Sequence, residues 1–166
     1  MNAYESGAQK VIPAVLLYAF RGHELLMIHG KKKWNGLGGK LEPGETMAEA
    51  AVREFQEESD CTTVPAQWRR LGELYFPNFK ADKNEDWWVT VFVTDLSGEQ
   101  VAQIPLDDPL RPEGSLHFVP LSRVDCLDLW EGDRLFLPFV FERKPFQGTL
   151  FYRDGKCIRH ELSAII

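Results

Sequence analysis

The 166-residue chain is short of cysteine and has no excess of positive charge, and both shortages exclude classes of protein. Cys61, Cys126 and Cys157 are odd in number and far apart, which excludes a disulfide framework and a CxxC metal or redox site. A formal net charge of −6 argues against stable binding to nucleic acid or to an anionic membrane surface. The first ten residues lack a signal-peptide pattern, and no apolar run reaches membrane-spanning length. We therefore expect a cytoplasmic protein.

Length and patterning predict one domain over residues 1–166, of α/β or α+β class with a mixed sheet. Thr46 followed by Glu49 forms a capping box that starts a first helix, and a second helix is predicted at 132–143, bent or broken at Pro138. Pro13 implies an edge or a bulge in the first strand. Glycine content predicts a loop over 30–45, and composition predicts further loops at 77–85 and 101–114. Strands are predicted at 11–20, 23–30, 68–76, 86–96 and 116–121, with a C-terminal hairpin that turns at Asp154-Gly155.

Three glutamates lie on one side of the first predicted helix, because positions i, i+3 and i+4 of a helix share a face. They are Glu54, Glu57 and Glu58, close to the helix C-terminus, where the macrodipole disfavours negative charge. One interpretation is a solvated acidic face. The other is a site for divalent cations, since Mg²⁺ prefers hard oxygen ligands and two such ions can clamp a phosphoryl displacement. Helical spacing alone leaves both interpretations open.

The glycine-rich segment before this helix agrees with the cation interpretation. Gly38 and Gly39 carry no side chains, so a backbone carbonyl can reach a metal and backbone N–H groups can approach phosphate. The segment GLGGK does not fit a phosphate-binding P-loop, because Leu41 stands where that motif needs serine or threonine. A different way of handling phosphate is therefore predicted.

These residues together resemble the Nudix box, G-x(5)-E-x(7)-R-E-U-x-E-E-x-G-U, where U is apolar. Gly39, Glu45 and the run 53–58 meet every spacing, and the one departure is Asp60 in place of the last glycine. That position commonly needs a left-handed residue, which Asp tolerates better than most residues. The segments WNGLGGK and LWEGDRLFLPFVFERKPFQGTLFY extend the likeness to the MutT-type Nudix hydrolases of oxidised purine nucleoside triphosphates, the animal 8-oxo-dGTP diphosphatases among them.

The resemblance implies a Nudix fold, an α/β/α sandwich with the mixed sheet between helices. It also implies Mg²⁺, with Mn²⁺ as a possible substitute, and hydrolysis of a nucleoside triphosphate to the monophosphate and pyrophosphate. By the same resemblance Glu54 or Glu57 orients or deprotonates the attacking water, Arg53 orients the carboxylates and pairs with Glu45, and Lys40 faces the phosphates. The implied metal ligands are the Gly38 carbonyl and the side chains of Glu54, Glu57 and Glu58.

The resemblance implies a base pocket as well. Asn35 matches a residue that hydrogen-bonds the purine, and Trp130 matches a residue that stacks on it. Two adjacent aspartates follow that tryptophan in the animal enzymes, whereas here Gly132 replaces the first and Asp133 remains. Phe76 and Trp87 are candidate pocket residues too, with core packing as the alternative. The full predicted substrate set is Asn35, Gly39, Lys40, Phe76, Trp87, Trp130 and Asp133.

Several alternatives stay open at this stage. Relatives that draw a further carboxylate from a loop make Asp107 and Asp108 candidates, although Pro109 occupies the matching position. The substrate could instead be ADP-ribose, a dinucleoside polyphosphate or an RNA 5′ end; Pro77 resembles a proline marker of ADP-ribose hydrolases. A third possibility is a catalytically silent nucleotide-binding module. We expect a small-molecule nucleotide as ligand and a monomer as the favoured state.

Overall fold

The computed structural model describes residues 9–165 and, at Ala81, the backbone alone; residues 1–8, part of the N-terminal segment considered above, lie outside the described residues. One mixed sheet holds the strands of the described chain. No helix within it is long and apolar enough to cross a membrane. The strands are β1 (Lys10–Arg21), β2 (Glu24–His29), β3 (Trp34–Asn35), β4 (Leu37–Lys40), β5 (Arg69–Lys80), β6 (Glu85–Asp95), β7 (Ser115–Pro120), β8 (Phe146–Arg153) and β9 (Lys156–Ala164).

The strand order is β3-β2-β1-β6-β5-β8-β9, with β4 paired to β1 and β7 paired to β2. The β1–β6 and β5–β8 pairs are parallel and the remaining pairs are antiparallel. On one side, β1 pairs with two different strands: β2 at its C-terminal end, where Phe20 faces Leu25, and β4 near its N-terminal end, where Leu16 faces Gly38. The sheet therefore divides beside β1, and the glycines of β4 lie at the division.

Helices cover both faces of the sheet, and β1 shows why. Its alternate residues Val15, Leu17 and Ala19 belong to one buried cluster with Phe55, while Tyr18 and Phe20 belong to another with Phe136. Period-two alternation in a central strand produces two buried faces, and each is covered by a helix. The predicted α/β/α sandwich is thus confirmed. The helices are α1 (Met47–Ser59), α2 (Gly98–Gln103) and α3 (Asp133–Glu142), with 3₁₀ turns at Pro65–Gln67, Ala81–Lys83 and Leu121–Cys126.

The loop predictions were wrong in three places. Residues 30–45 contain β3 and β4, because glycine here permits close strand contact: a β-carbon on Gly38 would collide with the Val15 carbonyl. Strand β5 continues to Lys80, so the segment 77–85 is only partly loop. The segment 101–114 begins inside α2, whose capping box, Ser97 with Gln100, lies earlier in the chain.

The prediction for Pro13 needs correction, and of the two alternatives for Pro138 the break is wrong while the bend stays a prediction. Strand β1 is interior, not an edge, and Pro13 is accommodated because pairing with β4 begins one residue later, at Ala14. The Pro13 carbonyl still accepts a hydrogen bond from the Leu41 N–H. Helix α3 runs through Pro138 without a break. Pro138 is the sixth of the ten residues of α3, and because it has no N–H the hydrogen bond to the carbonyl of Arg134, four residues earlier, is missing.

Candidate active site

Helix α1 is fixed at both ends by side chains that the sequence makes recognisable. At its start the Thr46 hydroxyl accepts the Glu49 N–H and the Glu49 carboxylate accepts the Thr46 N–H, each at 3.1 Å. This is the predicted capping box. At its end Asp60 is left-handed, with φ of 59°, as predicted for the residue that replaces the box glycine. The Asp60 carboxylate also accepts a hydrogen bond from Arg111 at 3.1 Å, a contact that glycine could not make.

The three glutamates predicted to share one face of α1 differ in their surroundings. Glu58 is buried, and its carboxylate accepts the Gly38 N–H at 3.0 Å. Glu54 is partly buried against Gly39, where a β-carbon would come within 2.6 Å of its carboxylate atoms. Glu57 is more than half exposed and faces Arg53, 3.4 Å away. Within the described chain no group of three histidine, cysteine, aspartate or glutamate side chains is arranged to hold a metal ion.

Burial changes the acidity of two of these carboxyl groups. It raises the pKa of Glu58 to about 8, against the opposing effect of the Gly38 hydrogen bond and with smaller contributions from the carboxylates of Glu113, Glu54 and Glu57. Burial also raises the pKa of Glu54, although hydrogen bonding to Arg53 lowers it. A carboxyl group that is both desolvated and close to like charges gains more from a nearby cation than an exposed one does.

Arg53 connects the helix to the preceding loop. Its Nε and Nη2 donate to the two oxygens of Glu45 at 2.7 and 2.9 Å, a bidentate pair, so the predicted Arg53–Glu45 pairing is confirmed. Its Nη1 donates to Glu54 at 2.9 Å, and Nη2 also donates to the Lys40 carbonyl at 3.0 Å. The Glu45 contact is the largest cause of the raised pKa of Arg53. One planar guanidinium thus holds Glu54, the loop carboxylate and the end of β4 together.

A cavity of about 490 Å³ lies beside Gly38 and Gly39 of β4. Of the predicted substrate set, all but Lys40 line it, and the Lys40 ammonium is 5.2 Å from the centre of the Trp87 ring. The core alternative for Phe76 and Trp87 is compatible with this position, since both also pack against the buried cluster around Phe136. The cavity is lined by Ala14, Val15, Leu16, Asn35, Gly36, Gly38, Gly39, Phe76, Phe79, Lys80, Trp87, Val89, Trp130, Asp133, Tyr152, Asp154 and Gly155.

Sequence reasoning missed one wall of this cavity. Phe79 and Lys80 fall in a segment that composition assigned to a loop. Tyr152 ends the C-terminal segment that carries the family likeness, but the likeness gave neither Tyr152 nor Asp154 a role in the pocket. The rings of Phe79 and Tyr152 are 5.8 Å apart and nearly perpendicular. The one sequence signal for this wall is the hairpin turn predicted at Asp154-Gly155. A turn signal does not say which part of the fold the hairpin packs against.

Asn35 is positioned by its neighbour in the two-residue strand β3. The Trp34 ring stacks on His29 with centroids 4.4 Å apart, and His117 lies 5.1 Å away on a tilt. His117 is itself held by Ser115, with Oγ 2.8 Å from Nε2, and by Asp107, 2.5 Å from Nδ1. A two-residue strand has few backbone contacts, so this aromatic stack fixes the position from which Asn35 faces the cavity.

Asp133, which lines the cavity, lies in the first turn of α3. Burial raises its pKa to about 7, opposed by the positive charge of Arg134. Its side chain keeps some contact with the cavity although protein surrounds it. Such a group changes protonation state near neutral pH, and can donate or accept a hydrogen bond there.

The loop carboxylate near α1 is not one of the two that the sequence suggested. Asp107 contacts His117, and the Asp108 carboxylate accepts the Leu110 N–H at 3.0 Å. Glu113 is instead the loop residue whose negative charge raises the pKa of both Glu54 and Glu58. Pairing of β7 with β2 places the loop, because residues 111–114 connect directly to β7 at Ser115.

Known proteins of similar sequence and fold show which family the chain belongs to. The oxidized purine nucleoside triphosphate hydrolase of Danio rerio is 28% identical over 137 residues, covering 82% of this chain and 81% of the relative. The Mus musculus protein of the same name is 29% identical over 130 residues, covering 78% and 76%. A MutT protein from Bacillus halodurans superposes with a TM-score of 0.78 at 21% identity, covering 92% of this chain and 97% of that one. The NUDIX domain model matches residues 10–140, and the chain therefore belongs to the NUDIX family.

Proposed function

We propose that the protein is a Mg²⁺-dependent pyrophosphohydrolase that cleaves a nucleoside triphosphate, of the oxidised purine class, to the monophosphate and pyrophosphate. One observation carries the proposal. Gly38 and Gly39 line the aromatic cavity and at the same time contact two carboxylates of α1, since the Gly38 N–H donates to Glu58 and Gly39 adjoins Glu54. A base in the cavity would thus extend its phosphates along β4 toward the acidic end of the helix.

The residues fit a divalent cation. The proposed ligands are the Gly38 carbonyl, Glu54, Glu57 and Glu58, a hard-oxygen set of the kind that Mg²⁺ or Mn²⁺ takes. The absence of a side chain on Gly39 leaves room for the Glu54 carboxylate, and desolvation of Glu54 and Glu58 favours a positive charge beside them. When bound, such a cation neutralises phosphate charge and acidifies water.

The chain's own residues supply the remaining chemistry. Glu54 or Glu57 would orient the attacking water or accept its proton, and Arg53 would keep Glu54 in place through its hydrogen bonds. Backbone N–H groups at Gly39 and the Lys40 ammonium would meet the phosphates. Lys80 adds a further cation at the wall of the same cavity. An acidic protein can hold a polyanion in this way without a general basic surface.

The cavity supports a nucleobase as the recognised group. Trp130, Trp87 and Phe79 offer flat faces for stacking, and Asn35 and Asp133 offer polar edges. The oxidized purine nucleoside triphosphate hydrolases of zebrafish and mouse, at 28% and 29% identity, favour a purine triphosphate as the substrate class. ADP-ribose, dinucleoside polyphosphates and RNA 5′ ends are the competing substrates. We further propose a cytoplasmic monomer with a single domain over residues 1–166.

Product release across a nucleotide panel tests the proposal. Pyrophosphate and phosphate would be measured with Mg²⁺ for 8-oxo-dGTP, 2-hydroxy-dATP, normal dNTPs, ADP-ribose and diadenosine polyphosphates. We expect oxidised purine triphosphates to give the highest kcat/KM and pyrophosphate as the product. Highest turnover on ADP-ribose or a dinucleoside polyphosphate would overturn the proposed substrate class. No turnover of any compound would overturn the proposal that the protein is an enzyme.

Two variants test the metal ligands. Glu57→Gln and Glu58→Gln each remove one carboxylate from the proposed set, so turnover should fall by about two orders of magnitude or more. Glu99→Gln, an exposed change in the first turn of α2, is the matched control and should keep activity. Near-normal Mg²⁺-dependent turnover in both α1 variants would rule out these glutamates as ligands.

A further inference from the structure

The phenol of Tyr152 contacts the backbone at the start of α3. Its oxygen accepts the Gly132 N–H at 2.7 Å, and a β-carbon on Gly132 would lie 2.5 Å from that oxygen. Gly132 is the N-cap of α3 and makes no side-chain capping hydrogen bond, and the Tyr152 hydroxyl accepts its backbone N–H, as the N3 carboxylate does in a capping box. Glycine at 132 and tyrosine at 152 therefore form a matched pair: the small residue makes room for the hydroxyl.

The Tyr152 hydroxyl can still donate a hydrogen bond. Its oxygen accepts a hydrogen bond, but among the described residues its own hydrogen is donated to no protein acceptor. Burial raises the pKa of Tyr152, against the effect of the Gly132 N–H and with a smaller contribution from the charge of Asp133, so the group stays a donor at neutral pH. Its ring is held between aromatic neighbours, with centroids 6.1 Å from Phe76 and 5.8 Å from Phe79.

Tyr152 and Asp133 both line the cavity, and the Gly132 contact places the hydroxyl beside the residue that precedes Asp133. The cavity wall thus presents a fixed donor next to a carboxyl group. The edge of a 6-oxopurine is complementary to this pair, because its carbonyl oxygen accepts and its adjoining ring N–H donates. A 6-aminopurine presents the reverse order and would leave the hydroxyl facing another donor.

We propose that Tyr152 is a specificity-determining residue, whose hydroxyl donates to the 6-oxo group of a bound purine while Asp133 accepts from the adjoining ring N–H. The inference rests on the proposed function for the location of the base. It narrows the substrate class to 6-oxopurine nucleotides, guanine and its oxidised forms, over 6-aminopurine nucleotides. Tyr152 acts here through contact with the base and takes no part in bond cleavage.

Binding of monophosphates tests this without any dependence on hydrolysis. Calorimetric titration would give the Kd of dGMP, 8-oxo-dGMP and dAMP for the wild type and Tyr152→Phe at pH 8. We expect the variant to bind dGMP and 8-oxo-dGMP about tenfold more weakly and dAMP within about twofold of the wild type, the loss expected for one hydrogen bond. Tyr75→Phe, which removes a phenol hydroxyl outside the cavity, is the control and should leave the preference unchanged.

A second variant tests the alternative that Tyr152 only supports the start of α3. Gly132→Ala keeps the hydroxyl but displaces it, because the new methyl group would meet the oxygen at 2.5 Å, so it should reduce the same preference for 6-oxopurines. Equal weakening for all three monophosphates in Tyr152→Phe would overturn the inference and leave Tyr152 a structural residue. A wild type that prefers dGMP through Tyr152 yet hydrolyses no triphosphate would instead overturn the proposed function and retain the inference. An unchanged preference in both variants would also overturn it.

Discussion

Gly39 and Glu54 are so close that a β-carbon on Gly39 would come within 2.6 Å of the Glu54 carboxylate atoms. Carboxylate oxygens do not tolerate carbon at that distance, so any side chain at 39 must displace Glu54 or shift β4. β4 is fixed on its other side by pairing with β1, where Val15 faces Gly39. The helix carboxylate is therefore the part that must move.

We expect Gly39→Ala to reduce Mg²⁺-dependent turnover by more than about tenfold, because Glu54 would be moved away from the proposed metal site. The melting temperature should fall by only a few degrees, since the change lies at the cavity and outside the core. Turnover and thermal unfolding measured on one preparation would separate the two effects. Gly98→Ala is the control: nothing lies within 4 Å of the added carbon, and alanine suits a helix. Normal turnover in Gly39→Ala would contradict the prediction.

Arg53→Lys should weaken the response to Mg²⁺ while the chain stays folded. A lysine ammonium cannot span Glu45, Glu54 and the Lys40 carbonyl at once, so Glu54 would lose its fixed position. We expect the Mg²⁺ concentration for half-maximal turnover to rise by about ten- to a hundredfold. A Mg²⁺ titration of turnover measures this.

The control for that substitution is Arg159→Lys, which alters an exposed arginine–glutamate pair on β9. Its Mg²⁺ response should match that of the wild type. If Arg53→Lys also matched the wild type, the guanidinium would have no role in holding the carboxylates.

The helix and the shared face of its glutamates were readable from the sequence because their signals are local. The Thr46–Glu49 capping box and the i, i+3, i+4 spacing of the glutamates depend on residues within a few positions of one another. The box pattern also assigned a left-handed residue to position 60, which the structure confirms at Asp60. Local rules therefore fixed which residues share the helix face.

What the sequence could not give is which distant segments meet. β4 looked like a glycine loop because strand propensity says nothing about a backbone that needs glycine to approach its neighbour closely. The cavity wall formed by Phe79 and Tyr152, and the placement of Glu113 near α1, depend on pairings between residues far apart in the chain. Even the shared face did not fix side-chain direction: Glu58 is buried while Glu57 is exposed toward Arg53.

Asn35→Ala should change the order of preference among purine substrates more than it changes the chemistry. Its side chain faces the cavity from β3 and has no role in the proposed metal site, so kcat for the preferred substrate should stay within a few-fold while KM rises about tenfold. Values of kcat/KM across the purine panel measure this. Gln147→Ala removes an exposed side-chain amide on β8, outside this cavity, and is the matched control. An unchanged order in Asn35→Ala would remove Asn35 from base recognition.

Asp133→Asn should change how stability depends on pH. Burial raises the pKa of the Asp133 carboxyl to about 7 in the folded chain, whereas the unfolded group has its ordinary value of 3.8. The folded state then binds more protons than the unfolded state between these values. The stability contributed by the protonated Asp133 is therefore complete below pH 4 and is lost as pH rises through 7.

Ionising Asp133 should cost the folded wild type on the order of a few kcal/mol by pH 8. Asparagine does not ionise, so the free energy of unfolding of Asp133→Asn relative to the wild type should increase from pH 5 to pH 8. Urea unfolding of both proteins at several pH values measures the difference, and Glu58, whose pKa of about 8 has the same sign, cancels in it. A difference that stays constant with pH would show that Asp133 does not carry a raised pKa.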